Sequence, residues 1–215
     1  MTFGVAQEIK LSIKTNPNIR RITIIVCFFS IFHVGKVSLN TFGMVFKYLY
    51  LNYLMKFIDI HCHVDVYGNE IENIVKRARE KGVFVIVNNG IDARSNKKTL
   101  ELSKKHPEIK AALGLYPINA FSMSNKDIDE ELKFIEKNKD KVTMIGEIGI
   151  DLKENNELDR QIEVFEKLIK LAMKLNMPVA VHSRNAEEEC IEFLEKLRAK
   201  KVIMHCFSGN MKLVN

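Results

Sequence analysis

Phe57-Ile58-Asp59-Ile60-His61-Cys62-His63 is the stretch from which the rest of the chain can be placed. Its aromatic and β-branched opening reads as a strand, Phe57–Ile60. In extended backbone the side chains at i and i+2 point the same way, so His61 and His63 share one side. Two neutral imidazoles so placed can hold one cation between them. A single pair of this kind is also common among histidines that merely fill structural roles, so its weight depends on its company.

Five further strands follow at regular intervals: Val83–Val87, Ile109–Leu113, Val142–Ile148, Val179–His182 and Val202–His205. Between them lie segments with apolar residues at helical spacing, such as Ile71-Ile74-Val75-Ala78, Ile128-Leu132-Ile135 and Ile162-Phe165-Leu168-Ile169-Ala172. Strands that are apolar on consecutive residues and joined by helices belong in a parallel sheet with covered faces. A six-stranded doubly wound sheet and an incomplete (β/α)8 barrel both satisfy this pattern. The chain has six histidines. His61, His63, His182 and His205 all fall at carboxyl ends of predicted strands, the edge where α/β active sites lie. His33 and His106 lie elsewhere.

Glu147 joins this set within Ile145-Gly146-Glu147-Ile148-Gly149-Ile150-Asp151. A carboxylate in an otherwise buried strand is costly unless it meets a cation, and its flanking glycines are expected to let a large group approach the backbone. Asp59 is expected to act as a further pocket carboxylate or to orient a ligand imidazole. Asp151 reads either as a further polar group of the pocket or as an ordinary loop or helix-capping carboxylate, and Glu154 and Glu157 as solvated. Imidazoles and carboxylates together call for a borderline or hard divalent ion, Zn²⁺, Mn²⁺ or Mg²⁺. Five protein ligands exceed one tetrahedral site. Two ions bridged by Glu147, one on His61 and His63 and the other on His182 and His205, would use them all, with Glu147 and His182 at the centre of a water-activating site. Arg184, two residues past His182, is either a surface arginine or a bidentate contact for a substrate phosphate. Phe207-Ser208-Gly209 reads as a turn. No Gly-rich phosphate loop and no G-x-S-x-G elbow is present.

The formal charge of +6 carries no information about a polyanionic substrate. Lys10, Lys14, Arg20, Arg21, Lys36 and Lys47 stand against Glu8 alone in residues 1–54, and the remainder is close to neutral. The apolar run Ile22–Phe32 behind Arg20 and Arg21 is too short for the roughly 20 residues that a membrane-spanning helix needs, so membrane association is not expected. Residues 1–54 form an atypical segment, and Met55 opens directly into the first strand. Residues 1–54 read as a stretch outside the natural protein, with an anchor or interfacial segment and an extra element packing on the domain as the alternatives, and 55–215 as the domain itself, incomplete at its C-terminus. The cysteines at 27, 62, 190 and 206 make no C-x-x-C pair and fit a reducing cytoplasm. Cys62 and Cys206, beside predicted ligands, are expected to face away from them.

The successive segments Phe57–His63, Gly114-Leu115-Tyr116-Pro117, Ile145–Asp151, Val181-His182-Ser183-Arg184 and Met204-His205-Cys206-Phe207-Ser208-Gly209 together resemble the signatures of the TatD-type metal-dependent deoxyribonucleases. The resemblance implies a (β/α)8 barrel of the metallo-dependent hydrolase superfamily and hydrolysis of ester bonds, with DNA as the expected substrate and no stable protein partner. It also implies His61 and His63 on one metal, Glu147 bridging, and His182 and His205 on the second. Related superfamily chemistries are deacylation of D-aminoacyl-tRNA and opening of a cyclic amide; a non-catalytic remnant is the reading from another class. Two departures stand out. Many members carry His where Tyr116 stands, and the family's late catalytic Asp has no counterpart before Asn215. A complete barrel takes about 250 residues. The chain is thus expected to hold about six of eight βα units, with open sheet edges, and to be unstable and inactive on its own.

Overall fold

The computed structural model describes residues 22–25 and 57–214. Its strands are β1 (Ile22–Ile25), β2 (Phe57–Cys62), β3 (Val83–Asn89), β4 (Ile109–Leu113), β5 (Val142–Asp151), β6 (Val179–Arg184) and β7 (Val202–His205). Helices α1 (Ile71–Glu80), α2 (Ala93–Lys105), α3 (Pro117–Phe121), α4 (Asn125–Lys137), α5 (Leu158–Lys174) and α6 (Glu187–Lys196) fall between them. All strand pairs are parallel, in the order β1-β7-β6-β5-β4-β3-β2. From β2 onward each strand lies beside the next in sequence, as a barrel requires and a doubly wound sheet, whose order reverses, does not.

The two faces of the sheet confirm the barrel. Inward residues Val87, Ala112, Met144 and Ala180 form one buried cluster, with Val85 and Ile203 packed on it. This cluster spans β3 through β7 and is buried without any helix residue over it, as expected when the sheet curls around its own inner face. Alanines on β4 and β6 keep that space narrow. The outer face carries the larger core, in which Leu113, Ile145, Val181 and Met204 pack under Val164, Phe165, Leu168 and Ile169 of α5 and Phe193 and Leu194 of α6. Burying an aliphatic or aromatic side chain of this size contributes about 1.5–3 kcal/mol, so this layer is the main source of stability.

Local signals set the helix starts. Asp92 accepts from the Ser95 backbone N–H while the Ser95 hydroxyl accepts from Asp92 N–H, a reciprocal cap for α2. Ser124 caps α4 through the Asp127 N–H. Pro117 opens α3, a short helix that periodicity does not reveal because it spans little more than one turn.

Two expectations need correction. β3, β5 and β6 run two or three residues further than expected, to Asn89, Asp151 and Arg184, because polar side chains at a site count against strand in a hydrophobicity pattern. The edge of β7, expected to be open, is paired by β1 in the register Ile22↔Val202 to Ile25↔His205. Ile22-Thr23-Ile24-Ile25 is β-branched throughout, which suits a pleated edge. The expected boundary between 54 and 55 lies outside the described residues. Among the described residues no helix is long and apolar enough to cross a membrane.

Candidate metal centre

Glu147 sits on β5 with 4% exposure. Four imidazoles converge on it. His63 Nε2 lies 3.1 Å and His61 Nε2 3.5 Å from Glu147 Oε2, while His182 Nδ1 and His205 Nε2 each lie 2.9 Å from Oε1. Each carboxylate oxygen therefore faces one pair of histidines. The pairs are the ones the sequence order suggested, β2 on one side and β6 with β7 on the other. His61 and His205 stack at 3.6 Å between ring centroids, which places the two pairs side by side.

This arrangement has the chemistry of a cation site. His61, Glu147 and His205 offer buried ligand atoms within 4.8 Å of one another. His61 Nδ1 and both ring nitrogens of His205 are buried without a hydrogen bond, Nε2 despite its 2.9 Å approach to Glu147. Buried polar atoms left in that state are costly, and a divalent ion between imidazoles and a carboxylate relieves the cost. Burial alone would push the Glu147 carboxyl upward; the imidazoles of His182, His205, His61 and His63 grouped around it outweigh burial and hold the carboxyl well below the ordinary carboxylate range. Burial pushes the His61 imidazole down, against the pull of Glu147, so the neutral, ligating form is favoured there.

The ligand-bearing loops are pinned from beneath. Asn88, fully buried, accepts from the Val64 N–H at 2.5 Å and donates to Thr99 and Asp65 at 2.7 and 3.0 Å, fixing the turn after His63. The Asn89 carbonyl lies 2.8 Å from His63 Nδ1. Because a carbonyl only accepts, that nitrogen carries the proton and Nε2 is left bare toward Glu147. Asp59 meets the His61 backbone N–H at 3.1 Å instead of an imidazole, so its expected ring-orienting part is not seen.

The glycines beside Glu147 serve packing between strands. A Cβ on Gly146 would meet the Ala180 Cβ at 2.7 Å and Asn89 Oδ1 at 2.9 Å. On Gly149, at φ +142°, it would lie 2.0 Å from the His182 carbonyl oxygen. What approaches the backbone here is the neighbouring strand, which corrects the expectation of a ligand.

A second group adjoins the histidines. Asp151, at 0% exposure, ends β5 on the same face as Glu147, four residues on. Its Oδ2 lies 2.9 Å from His182 Nε2 and accepts from the Tyr116 hydroxyl at 2.6 Å and from Arg184 Nε at 2.9 Å; Oδ1 accepts from the Lys153 and Glu154 N–H groups at 3.1 and 3.0 Å. Burial would raise its carboxyl, but these donors, Arg184 foremost, hold it well below the usual range. The Tyr116 phenol is pushed up, first by burial and then by Asp151, so it stays a donor. Arg184 also reaches Glu154 Oε1 at 2.9 Å, so Glu154 is ion-paired as well as exposed. Ser208 donates to Glu187 at 2.6 Å. Cys62 faces away from the site as expected, donating to the Val87 carbonyl within the outer core. Cys206 does not: it lies past the end of β7 at φ 47°, exposed, with its thiol beside the His205 ring. Sequence reasoning left Asn89 out and gave Asp151 no definite part. The signal available for Asp151 was its i+4 spacing from Glu147 in a strand.

A parallel α/β barrel with four histidines around a buried glutamate at the carboxyl ends of its strands has the ligand set of a metal-dependent enzyme. Comparison with known sequences makes this specific: residues 58–215 match the TatD related DNase family, and the chain belongs to it. It is 32% identical over 161 residues to an uncharacterized metal-dependent hydrolase of Methanocaldococcus jannaschii, covering 74% of this chain and 62% of that protein. To the human deoxyribonuclease TATDN3 it is 30% identical over 166 residues, covering 71% and 61%. Among solved structures, the TatD homolog YJJV of Escherichia coli superimposes with a TM-score of 0.68 at 29% identity, covering 73% of this chain and 62% of that one. The chain thus spans about six-tenths of the length of these relatives.

Proposed function

We propose that this protein is a metal-dependent hydrolase of DNA phosphodiesters. The observation that carries the reading is the convergence of two histidine pairs on the two oxygens of one buried carboxylate, Glu147. That geometry suits two divalent ions, His61 and His63 holding one, His182 and His205 the other, and Glu147 bridging. Bound there, the ions would supply Lewis acidity and lower the pKa of a water molecule. Burial favours the neutral form of His61, the Asn89 carbonyl turns the bare Nε2 of His63 toward the site, and Glu147 is kept ionised. Arg184, anchored by Asp151 and Glu154, would be the group to orient a phosphate at the rim. The deoxyribonuclease and exonuclease names of relatives in human and Erwinia tasmaniensis support a nucleic-acid substrate.

The test is to strip the purified full chain of metal, reload it with Mg²⁺, Mn²⁺ or Zn²⁺, and follow single-stranded DNA, aminoacyl-tRNA and a cyclic amide in parallel. Metal-dependent DNA cleavage that disappears in Glu147→Gln supports the reading. Turnover of only the tRNA or the amide moves the protein to another chemistry of the same site. Metal uptake without turnover of any of the three makes it a binding remnant.

A further inference from the structure

We propose that Asp151, clamped by Tyr116 and Arg184, is a positioning residue that fixes the tautomer of His182, keeping the proton on Nε2 and presenting a bare Nδ1 to the metal position beside Glu147. The proposal rests on the metal-centre reading above and adds to it the group that decides which nitrogen of this ligand is available.

His182 stands between two carboxylates, with Nδ1 2.9 Å from Glu147 Oε1 and Nε2 2.9 Å from Asp151 Oδ2. A neutral imidazole has one N–H and can donate to only one of them. The surroundings of Asp151 decide which. Its Oδ1 is held by two backbone N–H groups, so the carboxylate cannot rotate. Its Oδ2 already accepts from the Tyr116 hydroxyl and from Arg184 Nε, with Arg184 Nη2 at 2.7 Å. Every neighbour of Asp151 is a donor, which makes it an ionised, orientationally fixed acceptor. The His182 proton therefore sits on Nε2. A lone pair on Nδ1 is then left facing the lone pairs of Glu147 at 2.9 Å, an arrangement that a cation relieves.

The same end is reached for His63 by other means. There the Asn89 backbone carbonyl holds the Nδ1 proton and Nε2 faces Glu147. The two imidazoles thus present opposite nitrogens to one carboxylate, one oriented by main chain and the other by a side-chain carboxylate. Only the second can be removed by substitution. Tyr116 supplies a hydroxyl donor to Asp151 at 2.6 Å.

The experiment uses the full chain and its Asp151→Asn and Tyr116→Phe variants, with circular dichroism to confirm folding. In the metal-stripped protein, long-range ¹H–¹⁵N correlation spectra of the histidine rings read the tautomer. Wild type is expected to show His182 protonated at Nε2; Asp151→Asn, whose amide can turn its NH₂ toward the ring, is expected to lose that preference, and Tyr116→Phe to weaken it. Competition with a chelator then reads Mn²⁺ affinity, expected to fall about 10–100-fold in Asp151→Asn, as loss of an outer hydrogen-bond partner does elsewhere, and less in Tyr116→Phe. An unchanged tautomer and unchanged affinity in a folded Asp151→Asn protein would overturn the proposal. If that variant does not fold, the Tyr116→Phe spectra decide: no change in tautomer population overturns it. Wild type that binds no Mn²⁺ would instead sink the metal-centre reading, while the spectra still report on Asp151.

Discussion

The two sides of Glu147 are built differently. On the β2 side, His61 near the end of β2 and His63 just past it lie two residues apart, held by the Asn89 carbonyl behind His63 and the turn that the Asn88 side chain pins. On the other side, His182 and His205 come from β6 and β7, and His182 is held by a network of charged side chains, Asp151, Tyr116, Arg184 and Glu154, that runs out to the rim. The first side depends on local chain geometry and on burial. The second depends on long-range pairing of charges and is correspondingly more sensitive to substitution and to pH.

The largest expected effect does not distinguish the two sides. Phe165, 1% exposed on the inner face of α5, should cost about 3–5 kcal/mol when replaced by Ala, and urea denaturation should show one transition shifted as a whole. Two separated transitions would mean that the two sides fold as independent units. Next comes metal linkage: a divalent ion at about 100 times its Kd should stabilise the folded chain by about 2.7 kcal/mol, seen as a rise in the urea midpoint. That rise should vanish in Glu147→Gln, and its persistence would place the ion elsewhere. A more local change is Asn88→Ala, expected to cost about 2 kcal/mol through the lost hydrogen bonds and the buried donors and acceptors they leave behind. It should weaken metal binding through the β2 side while leaving the ring spectra of His182 unaltered.

Acidity should separate the sides further. Asp151 lies below its ordinary value of 3.8 in the folded chain, so it contributes stability above that pH and loses it as the pH falls toward the folded value. The stability gap between wild type and Asp151→Asn should therefore be widest at neutral pH and narrow in acid. A gap that stays constant with pH would mean that Asp151 does not act through its charge. The smallest effect is expected far from the site: removing the exposed Lys126–Glu130 pair by Lys126→Ala should change stability by less than about 0.5 kcal/mol.

The succession of strands along the chain, Glu147 and the four histidines around it were legible because each leaves a local trace. A parallel strand buried on both faces is a run of apolar residues, and a ligand at its carboxyl end interrupts that run with His or Glu. His61 and His63 could even be placed on one side from their spacing. Asp151 and Tyr116 left no comparable trace, since an Asp after a Gly-Ile pair and a Tyr before a Pro both have ordinary readings in loops. Asn89 was hidden for a different reason, its part being played by a main-chain carbonyl that every residue possesses.

The sequence by itself determined the six strands from β2 to β7, most of the helices between them, their succession along the chain, and the residue types at the strand ends, because periodicity and residue chemistry are properties of the chain. Only the tertiary structure decided that the inner faces close on one another, that β1 pairs with the edge of β7, and which nitrogen of each imidazole faces Glu147. Those depend on distances between segments far apart in the chain, where a hydrogen bond is made or lost within a few tenths of an ångström.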